Sequence, residues 1–146
     1  MSAAVDTNVL LYAINPTCSE YARARAAVEA LRWRESAWFL TWGVIYEFLR
    51  VSTHREVLQP PMSVTGALLF IRGLLESPSL GILQETDRHF EELDEVARQT
   101  PGISGNDAHD VHLVTLMREH GVSTILTADR GFRRFKNLEV IDPVHD

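Results

Sequence analysis

Ala4-Val5-Asp6-Thr7-Asn8-Val9-Leu10-Leu11-Tyr12 is the stretch on which the fold turns. A short apolar entry, then Asp-Thr-Asn, then a renewed apolar run reads as a strand that ends in a polar turn and hands over to a helix. Open α/β sheets bind their ligands beyond the carboxyl ends of the strands, so this reading puts a carboxylate where ligands bind. Taken alone, Asp6 reads more readily as an Asx-turn residue that satisfies neighbouring backbone donors than as a site acid. Its companions decide between the two.

Outward from that stretch, residues 2–6 read as the first strand, and the Ala/Arg-rich segment from about Ser19 to Arg34 as a helix of strong helix formers. Ser36 to Thr41 reads as a buried strand, Trp42 to Ser52 as a helix, and Thr53 to Ser63, with Pro60-Pro61, as a loop. A helix over Val64 to Glu76, a strand over Leu80 to Leu83 and a helix over Asp87 to Arg98 follow. After the loop Thr100 to Gly105, Ser104 or Asn106 caps a helix to about His120, stopped by Gly121. Ser123 to Leu126 is a strand, Thr127 to Gly131 a polar turn and Leu138 to Ile141 a last strand. Alternating strands and helices imply an α/β fold with a mainly parallel sheet covered on both faces. No repeat or linker divides the 146 residues, so one domain over 1–146 is expected.

The single cysteine, Cys18, rules out an internal disulfide and a cysteine-ligated zinc cluster. No run reaches the ~18 apolar residues of a membrane span and no basic leader is present, so a cytoplasmic protein is expected. A net charge of −6 argues against a polyanion-binding module with a broad basic face. It leaves room for an enzyme whose acids gather around a metal. Arg130, Arg133, Arg134 and Lys136 form a local basic segment that either holds phosphates or is simply solvated.

Each acid has a plain structural reading beside the functional one. Glu47 borders an apolar stripe and has Arg50 within reach for a surface pair, worth roughly 0–1 kcal/mol. Asp107 occupies the acidic position of a capping box that begins at Ser104. Asp110 falls beside Val111, Val114 and Met117 on the apolar side of its helix, where an unpaired charge is expensive. Asp129 sits in ordinary turn material but repeats the placement of Asp6, just past a strand's C-terminal end. In a parallel sheet Asp6, Asp107 and Asp129 share one rim, with Glu47 reachable from a neighbouring helix. Two such charges ~4 Å apart repel by about 4 kcal/mol at an effective dielectric near 20, so the cluster calls for a cation. Oxygen ligands without thiolate favour Mg²⁺ or Mn²⁺ over Zn²⁺. On a helical wheel His109 lies nearly opposite Asp107 and His112 points away from Asp110, so both are expected at the surface.

Four segments together resemble the acidic motifs of the PIN-domain nucleases: Ala4 to Leu10, the helix around Glu47, Asn106-Asp107-Ala108, and Leu126-Thr127-Ala128-Asp129-Arg130-Gly131-Phe132. The closing Phe135 to Pro143 is similar to the tail of the single-domain VapC-type ribonuclease toxins of that family. The resemblance implies a single PIN-like domain, a five-stranded parallel sheet between helices, and Mg²⁺- or Mn²⁺-dependent endoribonuclease activity. Carried over by position, Asp6, Glu47, Asp107 and Asp129 are the metal-site acids, and Asp110 matches an additional acid that only some members carry. Asn8 and Thr127 would orient them by hydrogen bonds. It also implies an antitoxin that covers the active-site groove and a homodimer, and the lack of an appended domain favours the toxin branch.

The expected chemistry is hydrolysis by water, with one or two metal ions polarising the phosphate, leaving 5′-phosphate and 3′-hydroxyl ends. Arg130, Arg133 and Arg134 would hold flanking phosphates of the RNA. Two other readings compete. A Mg²⁺-dependent phosphatase with a phosphorylated aspartate needs a second aspartate two residues after the first, where Asn8 stands. A catalytically silent RNA- or protein-interaction module would be expected to lack one of the acids, and all four are present.

Overall fold

Five short strands and six helices alternate along residues 1–146 of the computed structural model. In chain order they are β1 (Ala3–Val5), α1 (Thr7–Ala13), α2 (Tyr21–Trp33), β2 (Trp38–Thr41), α3 (Trp42–Ser52), α4 (Val64–Leu75), β3 (Leu80–Leu83), α5 (His89–Gln99), α6 (Ala108–Glu119), β4 (Thr124–Leu126) and β5 (Glu139–Ile141). The sheet order is β3-β2-β1-β4-β5 and every pairing is parallel. This is the expected five-stranded parallel sheet between helices.

The order fixes where a ligand can go. From β1 the chain builds outward to β2 and β3, then crosses back to lay β4 on the other side of β1. The switch point therefore lies between β1 and β4, and the crevice beyond their carboxyl ends is the natural ligand position. Asp6 N–H donates to the Leu126 carbonyl at 3.0 Å, carrying the β1–β4 ladder right up to that edge.

Side-chain size explains the centre of the sheet. Ala3, Ala4 and Val5 have no exposed surface, as a parallel strand covered on both faces requires, and two alanines let the flanking helices approach closely. Trp38 is fully buried at the start of β2, its Nε1 donating to Ser77 Oγ. On α3, Phe48 is buried and stacks on Phe70 of α4 with ring centroids 5.2 Å apart. Thr41 caps α3 by accepting from Val44 N at 3.0 Å. No helix is long and apolar enough to cross a membrane.

Three local departures from the sequence reading matter for the site. No turn separates β1 from α1: Asp6 is itself the cap, accepting from Thr7 N at 2.8 Å. The helix expected from Ser104 or Asn106 begins with a 3-10 turn, Gly105–Asp107, before α6 proper. The basic segment after the Thr127–Gly131 turn is a second 3-10 turn, Arg130–Arg134, pinned by the buried rings of Phe132 and Phe135.

Candidate active site

Asp6 is buried at 5% exposure, and three groups donate to it. Besides Thr7 N, its carboxylate accepts from Thr127 Oγ1 at 2.8 Å and from Asn8 Nδ2 at 3.2 Å. Burial pushes the Asp6 pKa up, and the hydrogen bonds from Thr127 and Thr7 oppose that rise.

One hydroxyl ties the two strand tips together. Thr127 Oγ1 donates to Asp6 and accepts from Asn8 Nδ2 at 3.1 Å and from Asp129 N at 3.0 Å. Asn8 in turn accepts from Ala128 N through its Oδ1 at 3.0 Å. Asn8 and Thr127 thus lock the segment after β4 onto the segment after β1, with the Asp6 carboxylate at the junction. Asp129 is exposed, and its Oδ1 accepts from Gly131 N at 2.8 Å.

Asp110 reaches the same place from α6. Its pKa is raised to about 6, first by burial and then by the negative charges of Asp6 and Asp129. Asp110 is therefore close enough to Asp6 and Asp129 to feel both charges. Asp107 joins them through a cation: Arg134 lies 2.9 Å from Asp107 Oδ1 and 3.5 Å from Asp110 Oδ2, and its guanidinium also stands over the Phe135 ring. The other oxygen of Asp107 accepts from Ser104 N at 2.8 Å, the acid half of a capping box, and these two partners hold its pKa below the usual carboxylate range. Glu47 is half-buried on α3 and gripped by Arg50 through two hydrogen bonds of 3.0 and 2.7 Å, which lower its pKa.

The expectation that His109 points away from the acids fails, although its side chain keeps 36% of its surface exposed. Its Nε2 is buried without a hydrogen-bond partner and lies 4.0 Å from Asp6 Oδ1, close enough for an imidazolium there to favour ionised Asp6 and Glu47. Two physical reasons account for the difference. The wheel drawn through Asp107 assumed one continuous α-helix, but Asp107 lies in a 3-10 turn whose angular step is larger. It also assumed one apolar face, yet Val111, Leu113, Val114, Thr115, Leu116 and Met117 are all buried, so α6 is covered on most sides. The row His109, Leu113, Leu116 was the legible sign, since two members are core residues and the third continues their line. His112 diverges toward Glu85, away from the acids.

Of the basic residues expected on the rim, Arg130 and Arg133 are exposed, with Arg130 3.9 Å from the Asp146 carboxylate. Arg134 is not a free cation but the partner of Asp107 and Asp110. The donor set suits a hard divalent ion: carboxylate oxygens from three elements, one imidazole nitrogen without a partner, no sulfur, and an Asp110 carboxyl whose pKa is raised by burial and by the neighbouring charges of Asp6 and Asp129.

Carboxylates gathered at the switch point of a small parallel sheet define an α/β domain whose polar site lies beyond its strand tips. The PIN domain model matches residues 3–138, and the chain belongs to that family. It is 32% identical over 143 residues to Ribonuclease VapC48 from Mycobacterium tuberculosis, covering 98% of each chain, and 34% identical over 140 residues to Ribonuclease VapC43 from the same organism, covering 96% of this chain and 94% of the other. Among solved structures, VapBC2 from Rickettsia felis, bound to a promoter DNA fragment, superimposes with a TM-score of 0.67 at 20% identity, covering 97% of this chain and 98% of the other. VapC20 from Mycobacterium tuberculosis, a sarcin-ricin loop cleaving toxin, superimposes with a TM-score of 0.66 at 15% identity over 94% of this chain and 98% of its own.

Proposed function

We propose that the chain is a Mg²⁺- or Mn²⁺-dependent endoribonuclease, the toxin of a type II toxin–antitoxin pair. The observation that carries this reading is the buried Asp6 carboxylate at the β1–β4 switch point, electrostatically coupled to Asp110 and Asp129. The VapC ribonucleases that it resembles over nearly their full length support the choice of RNA as substrate.

Asp6, Asp110 and Asp129 are the acids positioned to hold a divalent ion, and Asp107 and Glu47 join by exchanging their arginine partners for it. When bound, such an ion polarises a phosphate oxygen and lowers the pKa of a water. The chain's own contribution is alignment. Thr127 and Asn8 fix Asp6 against rotation, and Gly131 N–H fixes Asp129. Arg134, released from Asp107 and Asp110, is left to neutralise phosphate charge beside Arg130 and Arg133. With His109 and His112 directed to different places, no imidazole pair is available for 2′-hydroxyl chemistry, so water is the nucleophile and 5′-phosphate and 3′-hydroxyl ends result. The phosphatase reading lacks its second acid, because Asn8 is committed to Thr127 and Ala128.

An antitoxin partner is supported by relatives solved as VapBC and FitAB assemblies. It is also supported by an exposed apolar groove between α3 and α4, lined by Trp42, Leu68 and Leu75. A homodimer would draw on the same surface. Expression with and without the neighbouring reading frame, followed by mapping of new 5′-phosphate RNA ends, tests the whole reading. Mg²⁺-dependent cleavage, growth arrest relieved by the neighbour, and loss of both with Asp107→Ala are expected; undiminished cleavage in EDTA overturns it.

A further inference from the structure

Away from the acid rim, two imidazoles and two carboxylates converge between the loop after β3, the start of α5 and the outer side of α6. One donor atom from each of Glu85, His89 and His112 lies within 4.8 Å of the other two. The His89 and His112 rings meet edge to face with centroids 5.7 Å apart. His112 Nε2 is 2.8 Å from Glu85 Oε1, and Glu85 is held below the usual carboxylate range by that contact.

The fourth group orients His89. Glu119 is buried and strapped in place by Thr86, whose N–H and hydroxyl donate to its Oε1 at 2.8 and 2.6 Å. Its Oε2 lies 2.6 Å from His89 Nδ1. A carboxylate fixed in this way holds the Nδ1 proton and leaves Nε2 as the coordinating nitrogen, the arrangement that supports histidine ligands in metal sites. Two ordinary ion pairs would need no such convergence.

We propose that Glu85, His89 and His112 form a second metal site, separate from the acid rim, that takes Zn²⁺ with Glu119 as the buried support of His89. Two imidazoles and one carboxylate are a zinc donor set with a fourth position left for water, and imidazole selects Zn²⁺ over Mg²⁺. Tetrahedral ligands at ~2.0–2.1 Å from zinc stand about 3.3 Å apart, so the 2.8 Å contact between His112 and Glu85 opens by roughly 0.5 Å and wider donor pairs close in by roughly 1.5 Å at most. Glu85, exposed on its loop, can make that adjustment by rotation. Bound there, the ion clamps the loop after β3 and the N-terminus of α5 to α6.

The test uses chelator-stripped full-length Asp6→Asn protein, which disables the acid rim, titrated with Zn²⁺ by calorimetry and with Co²⁺ by visible absorption. One equivalent of Zn²⁺ and a four-coordinate Co²⁺ band are expected, with His89→Gln and His112→Gln each weakening binding by about tenfold or more while the metal-free melting temperature holds. If a histidine variant fails to fold, Glu85→Gln, at an exposed loop position, carries the same expectation. Absence of stoichiometric Zn²⁺ binding in the Asp6→Asn protein, or equal affinity in the Glu85 and histidine variants, overturns the proposal. Neither readout involves RNA cleavage, so the nuclease reading stands or falls separately.

Discussion

Thr127 Oγ1 has three partners, and a single hydroxyl therefore decides whether Asp6, Asn8 and Asp129 stay in register. Thr127→Val keeps the shape and removes the hydroxyl, leaving Asp129 N and part of Asn8 unpaired. A loss of about 1–3 kcal/mol is expected in urea unfolding. Because the Thr127 hydrogen bond holds the Asp6 pKa down against burial, its loss also raises that pKa further and weakens divalent-ion binding at neutral pH. Asp110 offers a pH signature. Its folded pKa of about 6 lies above the unfolded value of 3.8, so the folded chain holds the extra proton between those limits and stability contributed by Asp110 falls as pH rises from about 4 to about 6. Asp110→Asn removes this loss. In EDTA, the stability difference between variant and parent should shift in the variant's favour from pH 4 to pH 7, by on the order of 1 kcal/mol once solvent screening of a partly exposed group is allowed for. A shift in the parent's favour would contradict the coupling. The strand-tip positions of Asp6 and Asp129 were legible in the sequence because Asp6 follows the run ending at Val5 directly and Asp129 lies in the polar turn after the run ending at Leu126. The link that makes them one unit, Thr127 to Asp6, spans 121 residues and leaves no local trace.

At the scale of elements, the segment after β4 shows how tightly the site is drawn. A Cβ added to Gly131 would stand 2.9 Å from Asp129 Oδ1, closer than carbon and oxygen tolerate, so glycine is what allows the carboxylate to lie over the following turn. Gly131→Ala should turn Asp129 away. The expected result is a loss of cleavage and Mn²⁺ affinity of about tenfold or more with stability changed by less than about 1 kcal/mol, read from initial rates and thermal melting on the same sample. Element types were legible wherever period and punctuation agreed: α3 begins and ends at Trp42 and Ser52 as read from the sequence. The 3-10 turns at Gly105–Asp107 and Arg130–Arg134 were not, because each is set by its packing, the second by Phe132 and Phe135 reaching the core. Those two turns control where Asp107 and Arg134 point. Their omission made Arg134 look like a free rim cation and sent His109 to the wrong side of α6.

For the molecule as a whole, the strand order places the ends of β1 and β4 side by side, and the acids follow from that topology. A net charge of −6 then has a local meaning: part of it is concentrated at one sheet edge, where Arg134 pairs with Asp107 and Asp110. The proposed nuclease activity requires that this sheet edge, organised around Asp6, hold a divalent ion. The most direct measurement is Mn²⁺ titration, followed by electron paramagnetic resonance, of the parent and of Asp6→Asn, a substitution that keeps the side chain's shape and removes its charge. Binding about tenfold or more weaker in Asp6→Asn, with the melting temperature equal to or above the parent's, is the predicted result. Equal Mn²⁺ affinity in a fully folded Asp6→Asn protein would contradict it.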